Sequence, residues 1–194
     1  MYKVYGTAKS RAFRVLWALE EMGLPYELIQ ANPRSPEVLE VNPEGKVPVL
    51  VDGDAVLSDS VAIISYLADK HGKLTFAAGT VDRARQDALI HLLNERLDAP
   101  LWLKARHGFI LPEERRLAGV SQAVEADIQD ALGVLGGLIK GPFLQGETMT
   151  VADILAVHCL NWAHGAKIAI TDDAVKAYAK SLRSRDAFAR AAAA

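Results

Sequence analysis

Two spacings of apolar residues, one typical of strands and one typical of helices, alternate along the first 72 residues. Residues 2–5 alternate between apolar and polar side chains, which predicts a strand that ends at Gly6. Apolar side chains then recur at helical spacing in Phe13, Leu16, Trp17 and Leu19. This second pattern predicts an amphipathic helix, with Ser10 as its N-cap and Gly23 as the left-handed residue that ends it.

The same alternation of elements continues to the end of this segment. Three further strands are predicted from short apolar runs, at residues 26–29, 47–51 and 55–57. A short helix is predicted at residues 36–41, and Asp52-Gly53 is typical of a hairpin turn. A last helix, capped by Ser58 or Asp59, completes the segment. The predicted order is therefore β-α-β-α-β-β-α.

Beyond residue 73 the apolar spacing is helical. Its apolar positions include Leu89, Leu92, Leu93, Leu97 and Leu101, then Val124, Ile128, Leu132, Leu135 and Ile139. A further helix is predicted to start near Thr150, where Thr150 and Asp153 form a capping box. We therefore predict an α/β domain at residues 1–73, a linker at residues 74–81 and an all-helical domain at residues 82–194.

Composition and charge narrow the class of protein. The chain has 194 residues, is 51% hydrophobic and carries a net charge of −2. A nearly neutral chain lacks the overall attraction for nucleic acid or anionic membranes that a basic protein has. The N-terminal residues contain no long apolar run, which predicts no signal peptide. A single cysteine, Cys159, suits a reducing compartment, so we expect a cytoplasmic protein with neither a nucleic-acid partner nor a membrane partner.

Three motifs follow one another in the α/β segment. The first is Ser10-Arg11 at the strand-to-helix turn, the second is NPEGKVPVL at residues 42–50, and the third is LSDSVAI at residues 57–63. With the helical part behind them, nearly the whole chain resembles the cytosolic glutathione S-transferase family. The resemblance implies a thioredoxin-like N-terminal domain followed by an all-α domain. It also implies glutathione as a co-substrate, no metal, a homodimer, and a detoxifying transferase acting on a small electrophilic molecule.

The second and third motifs carry the expected glutathione site. In the family the proline at the position of Pro48 follows a cis peptide bond, and Val47 is then the expected strand-like partner of the cysteinyl backbone. Ser60, at a helix N-terminus, is expected to bind the γ-glutamyl carboxylate. Asp59 is expected to bind the γ-glutamyl ammonium group. Lys46 is the expected partner of the glycyl carboxylate, with Arg34 as the alternative.

The first motif carries the expected chemistry. The thiol of glutathione must be ionised to attack, and a hydroxyl donor stabilises the thiolate. The resemblance implies that Ser10 supplies this hydroxyl, with Thr7 as the alternative. Tyr5 is expected to pack in the sheet, while Arg11 either approaches the thiolate or is solvated. The loop contains no cysteine, which disfavours thiol–disulfide exchange.

Other readings of the same residues remain open. The site also suits a glutathione-dependent isomerase or peroxidase, and the fold suits a non-catalytic interaction module. His91, His158 and His164 lack metal-ligand spacing, so the sequence predicts no metal site. Cys159 lies in an apolar helical run and is expected to be a buried, inert thiol.

Overall fold

Alternating strands and helices form the first part of the structure. The computed structural model describes residues 1–194. The strands are β1 (Tyr2–Gly6), β2 (Tyr26–Gln30), β3 (Val49–Asp52) and β4 (Ala55–Ser58). The helices between and after them are α1 (Ala12–Met22), α2 (Pro36–Val41) and α3 (Ser60–His71). The predicted β-α-β-α-β-β-α order is confirmed.

The four strands form one mixed sheet in the order β2-β1-β3-β4. β1 pairs with β2 in parallel and with β3 antiparallel, and β3 and β4 form an antiparallel hairpin. This is the thioredoxin-like arrangement that the resemblance implies. β3 begins at Val49, two residues later than predicted. The preceding Pro48 has no N–H to donate to a neighbouring strand.

Helix α1 provides much of the core of this sheet domain. Every side chain from Ala12 to Leu19 is buried, and Trp17 is fully inaccessible. Burying a large apolar side chain contributes about 1.5–3 kcal/mol, so this helix is a main source of the domain's stability. The helix ends as predicted at Gly23, which has φ +69° and donates its N–H to the carbonyl of Glu20.

The rest of the chain is mainly helical. The helices are α4 (Val81–Leu93), α5 (Ala99–Ala105), α6 (Val120–Leu138), α7 (Val151–Gly165), α8 (Asp173–Arg183) and α9 (Asp186–Ala193). Two π-helical turns flank α5, at Asn94–Asp98 and Arg106–Ile110, and a short 3₁₀ turn follows at Glu113–Arg115. Helix α4 packs on α7, and α5 packs on α6. None of these helices combines the length and the apolar character needed to cross a membrane.

The chain forms two compact units, and the C-terminal residues belong to the first of them. The first unit comprises residues 1–80 together with residues 182–194, and the second comprises residues 81–181. The last helix thus groups with the sheet and not with the other helices. The division at residues 73 and 82 stays a prediction.

Helix α9 joins the first unit through an aromatic contact and ion pairs. The ring of Phe188 lies 5.0 Å from the ring of Phe13 and 5.0 Å from that of Trp17. Arg185 donates two hydrogen bonds to the carboxylate of Glu21, at 2.6 and 2.7 Å. A two-pronged arginine–carboxylate contact is a geometrically specific pairing. These contacts attach the C-terminal residues to α1.

The second unit is organised around a buried carboxylate. Asp153 accepts hydrogen bonds from the N–H of Thr150, the N–H of Leu144 and the hydroxyl of Tyr178, each at 2.8 Å. The predicted capping box of Thr150 and Asp153 is present. Burial raises the pKa of the Asp153 carboxyl, and the hydrogen bonds oppose that shift. Asp153 therefore connects the start of α7 to α8 and to the loop that precedes α7.

Replacement of this carboxylate is expected to destabilise the second unit strongly. The Asp153→Ala variant leaves two buried N–H groups and one buried hydroxyl without their acceptor. We expect a loss of at least about 3 kcal/mol in unfolding free energy, measured by urea unfolding followed by circular dichroism. The exposed Asp173→Ala variant is the matched control and should leave the transition nearly unchanged. Equal shifts for the two variants would show that Asp153 has no organising role.

Candidate functional site

Three chain segments meet at one edge of the sheet. Tyr5 of β1 lies opposite Val49 of β3, and Val49 also lies opposite Ser58 of β4. Since both pairs are antiparallel, the residues after Tyr5, before Val49 and after Ser58 all emerge at the same edge. The three sequence motifs are therefore brought together by the register of the strands.

Gly6 is the point where two of these segments touch. Its φ is +146°, a conformation that residues with a side chain rarely adopt. A Cβ at this position would lie 2.5 Å from the Cβ of Ala12, 3.5 Å from the Cβ of Val47 and 3.6 Å from the Oγ of Ser10. The absence of a side chain at Gly6 thus allows Ser10 and Val47 to approach the same point.

Ser10 belongs to a tight turn before α1, and the prediction that it is the N-cap is wrong. The helix begins at Ala12 with Arg11 as its N-cap, and the Ser10 carbonyl accepts the N–H of Phe13 in the turn before it. The Ser10 hydroxyl nevertheless accepts the N–H of Ala12 at 3.1 Å and donates to the carbonyl of Thr7 at 2.8 Å. The loop is held in place by the hydroxyl that is the candidate for catalysis.

The turn before β3 presents an unpaired stretch of backbone. The Val47-Pro48 peptide bond is cis, as the resemblance implies. Pro48 is buried and Val47 is partly exposed. Neither backbone polar group of Val47 forms a hydrogen bond within the protein. Val47 therefore has one donor and one acceptor available for an extended ligand.

Two basic residues, Lys46 and Arg34, lie in or next to this turn. The Lys46 side chain is exposed and forms an ion pair with Glu44 at 2.8 Å, and this contact holds the pKa of the Glu44 carboxyl below its usual value. Arg34, at φ +67°, donates its backbone N–H to the carbonyl of Gly45 at 2.8 Å. The loop of Arg34 and the turn of Lys46 are thus adjacent.

Asp59 and Ser60 have different roles at the start of α3. Asp59 is the N-cap: its Oδ1 accepts the N–H of Val61 at 2.9 Å and that of Ala62 at 3.0 Å. Its φ of +69° is unusual for a residue other than glycine, and such positions often occur at functional sites. Ser60 is buried, and its own N–H has no hydrogen-bond partner within the protein. The helix start retains one N–H donor for a ligand.

Arg14 is a residue of this site that the sequence reasoning missed. Its side chain is 1% exposed and donates a hydrogen bond to the Oγ of Ser60 at 3.0 Å. Because a guanidinium group can only donate, the Ser60 oxygen is the acceptor and its own proton remains available for another partner. The available signal was an arginine inside the apolar run of residues 12–19, with no acidic residue one turn away on the helix.

Comparison with known proteins identifies the family. A model described as the N-terminal domain of glutathione S-transferase matches residues 10–70. Glutathione S-transferase 4 of Zea mays is 33% identical, over 95% of this chain and 89% of its own length. The chain belongs to the glutathione S-transferase family.

Solved structures agree with this glutathione S-transferase assignment. Glutathione transferase URE2P6 from Phanerochaete chrysosporium, in complex with oxidized glutathione, has a TM-score of 0.82 at 28% identity. That similarity covers 98% of this chain and 94% of the other. The bacterial glutathione S-transferase BphK, solved as a ternary complex, has a TM-score of 0.88 at 26% identity and covers 98% of both chains. The fold class predicted from the sequence is confirmed.

The contact between Arg14 and Ser60 can be measured by a double-mutant cycle. A hydrogen bond from a charged donor contributes about 1.5–3 kcal/mol, so we expect that coupling energy between Arg14→Met and Ser60→Ala in urea unfolding. The control cycle pairs Arg14→Met with Ser58→Ala, an exposed serine two residues earlier, and should be additive within about 0.5 kcal/mol. Additivity in both cycles would contradict a positioning role for Arg14.

Proposed function

We propose that this glutathione S-transferase binds glutathione as its co-substrate and joins the glutathione thiolate to a small electrophilic molecule. Family membership supports glutathione as the ligand. One observation carries the proposed chemistry: the Oγ of Ser10 and the Cβ of Val47 both lie within 3.6 Å of the point where a Cβ of Gly6 would be. A cysteinyl residue held by the backbone of Val47 therefore has its sulfur close to a hydroxyl donor.

The cysteinyl part of glutathione pairs with Val47 in this proposal. An extended peptide gains affinity by adding its backbone to an unpaired strand-like segment, and Val47 offers both a donor and an acceptor. Pro48 is buried beside it and directs the chain from this turn into β3. Lys46, exposed one residue earlier, then binds the glycyl carboxylate.

The γ-glutamyl part binds at the start of α3. Its carboxylate accepts the Ser60 hydroxyl and the Ser60 N–H, at the positive end of the helix. The hydrogen bond from Arg14 orients the hydroxyl and adds positive charge beneath the carboxylate. The γ-glutamyl ammonium group pairs with Asp59, whose Oδ1 also caps the helix.

The thiolate is stabilised by a hydroxyl of the β1–α1 loop. Ser10 is our first assignment because its Oγ lies 3.6 Å from the point where a Cβ of Gly6 would be, and the Cβ of Val47 lies 3.5 Å from the same point. To reach the sulfur, its proton must leave the carbonyl of Thr7, which exchanges one hydrogen bond for another. Thr7 is the alternative, since its own hydroxyl makes no hydrogen bond within the protein.

The reaction itself requires little covalent chemistry from the protein. The thiol proton passes to solvent, and the thiolate then forms a carbon–sulfur bond to the electrophilic carbon. The electron pair of the bond that breaks leaves with the departing group or moves onto the acceptor. The protein contributes by holding the sulfur in place and by stabilising its charge.

Other activities of the same site would appear as different products. An isomerase returns the glutathione unchanged, and a peroxidase consumes peroxide and yields oxidised glutathione. An interaction module binds glutathione without turnover of any electrophile or peroxide. The homodimer implied by the family resemblance and the cytoplasmic location expected from the composition of the chain stay predictions.

Binding of glutathione is tested at the start of α3. Asp59→Asn keeps a capping oxygen but removes the charge, and Ser60→Ala removes the hydroxyl. We expect each variant to bind glutathione about tenfold more weakly in calorimetry of the full chain, because each loses a contact to a charged group. Ser58→Ala is the control and should bind like the parent protein. Unchanged affinity in both Asp59→Asn and Ser60→Ala would rule out this γ-glutamyl site.

The choice of hydroxyl is tested through the thiol of bound glutathione. Removing a donor destabilises the thiolate, so Ser10→Ala should raise the thiol pKa by about one to two pH units. The pKa is read from thiolate absorbance of the complex as the pH is varied. Thr7→Ala is the matched variant and should leave the pKa unchanged. A rise in Thr7→Ala alone would move the catalytic role to Thr7.

A further inference from the structure

A cluster of three different metal-binding side chains lies in the second unit. Asp98 is the last residue of the π-helical turn Asn94–Asp98, and His158 and Cys159 are consecutive residues of α7. One oxygen, one nitrogen and one sulfur from these side chains all lie within 4.8 Å of one another. The Cys159 thiol is fully buried and donates to the Oδ1 of Asp98 at 4.0 Å.

The arrangement suits one ion between the three donors. Neighbouring residues of a helix point about 100° apart, so an ion bound by both His158 and Cys159 lies between their directions. In a tetrahedral zinc site, bonds of about 2.3 Å to sulfur and 2.1 Å to oxygen place these atoms about 3.6 Å apart. Cys159 Sγ and Asp98 Oδ1 therefore need to approach by only about 0.4 Å.

The donor types select the class of metal. A thiolate and an imidazole favour zinc and chemically similar ions, whereas calcium and magnesium prefer oxygen ligands. Three protein ligands leave a fourth position for water, which is typical of an open zinc site. Asp98 and His158 are partly exposed, whereas Cys159 is buried.

The surroundings hold the three side chains in position. The π-helical turn, which is wider than an α-helical turn, ends at Asp98. Pro100 follows it closely and cannot donate a backbone hydrogen bond. The ring of His158 packs edge-on against Trp162, with centroids 6.2 Å apart. The imidazole orientation is thus supported by a ring contact outside the cluster.

We propose that Asp98, His158 and Cys159 bind one zinc-class divalent cation, separate from the glutathione site. On binding, the Cys159 thiol loses its proton to solvent and the thiolate becomes the sulfur ligand. The ion connects the helical segment around residues 94–105 to α7. Metal binding is expected to stabilise the folded second unit, since the ion binds the folded arrangement of the three ligands.

The test uses cobalt(II) and zinc with the full, reduced chain. Cobalt should produce the charge-transfer absorption of a thiolate ligand together with the strong visible bands of a tetrahedral ion, and zinc should displace it. Asp98→Asn and His158→Gln, at partly buried positions, should each weaken zinc binding by at least about 100-fold. Cys159→Ser should remove the charge-transfer absorption. Zinc should also raise the thermal unfolding midpoint of the parent protein but not of these variants.

The control variant is His164→Gln, an exposed histidine further along the same helix. It should bind cobalt and zinc like the parent protein. If Cys159→Ser fails to fold, the Asp98→Asn and His158→Gln affinities decide the question. The proposal is overturned if the parent chain shows no thiolate–cobalt absorption. It is equally overturned if Asp98→Asn and His158→Gln retain the parent affinity, because the three groups are then only hydrogen-bonded neighbours.

Discussion

The proposed site depends on the close approach of two chain segments at Gly6. A single methyl group there would collide with Ala12 at 2.5 Å, and φ +146° is unfavourable for any residue that has one. Because position 6 carries no side chain, the loop that leads into α1 folds back over the end of β1. The Ser10 hydroxyl oxygen and the Cβ of Val47 then both lie within 3.6 Å of the point where a Cβ of residue 6 would be. A hydroxyl donor and a peptide-binding edge are in this way provided by segments almost forty residues apart.

Three polar residues of the proposed glutathione site also have structural roles. Ser10 ties its loop to the start of α1, and Asp59 caps α3. The buried guanidinium of Arg14 holds the oxygen of Ser60. Groups that are already positioned need little further ordering when a ligand arrives, which reduces the entropic cost of binding. The proposed binding site is thus largely formed before the ligand is present.

The second unit contains two buried or partly buried groups of polar side chains. Asp153 is one buried carboxylate that accepts donors from three separate segments. Asp98, His158 and Cys159 bring three kinds of donor atom together between a π-helical turn and α7. In the first case every donor is already part of the protein. In the cluster of Asp98, His158 and Cys159, each side chain can act as a metal ligand. A bound cation would therefore stabilise this arrangement.

The sequence by itself determined the order of elements in the first 72 residues and the positions of the three motifs. These features depend on local periods of two and 3.6 residues and on turn residues such as Gly23 and Asp52-Gly53, so neighbouring positions are sufficient to predict them. The tertiary structure alone decided which distant side chains meet. Arg14 contacts Ser60 from another helix, α9 packs on α1, and Asp98 meets Cys159 across 61 positions. No local period specifies such partners, because they are selected by how the helices and strands pack.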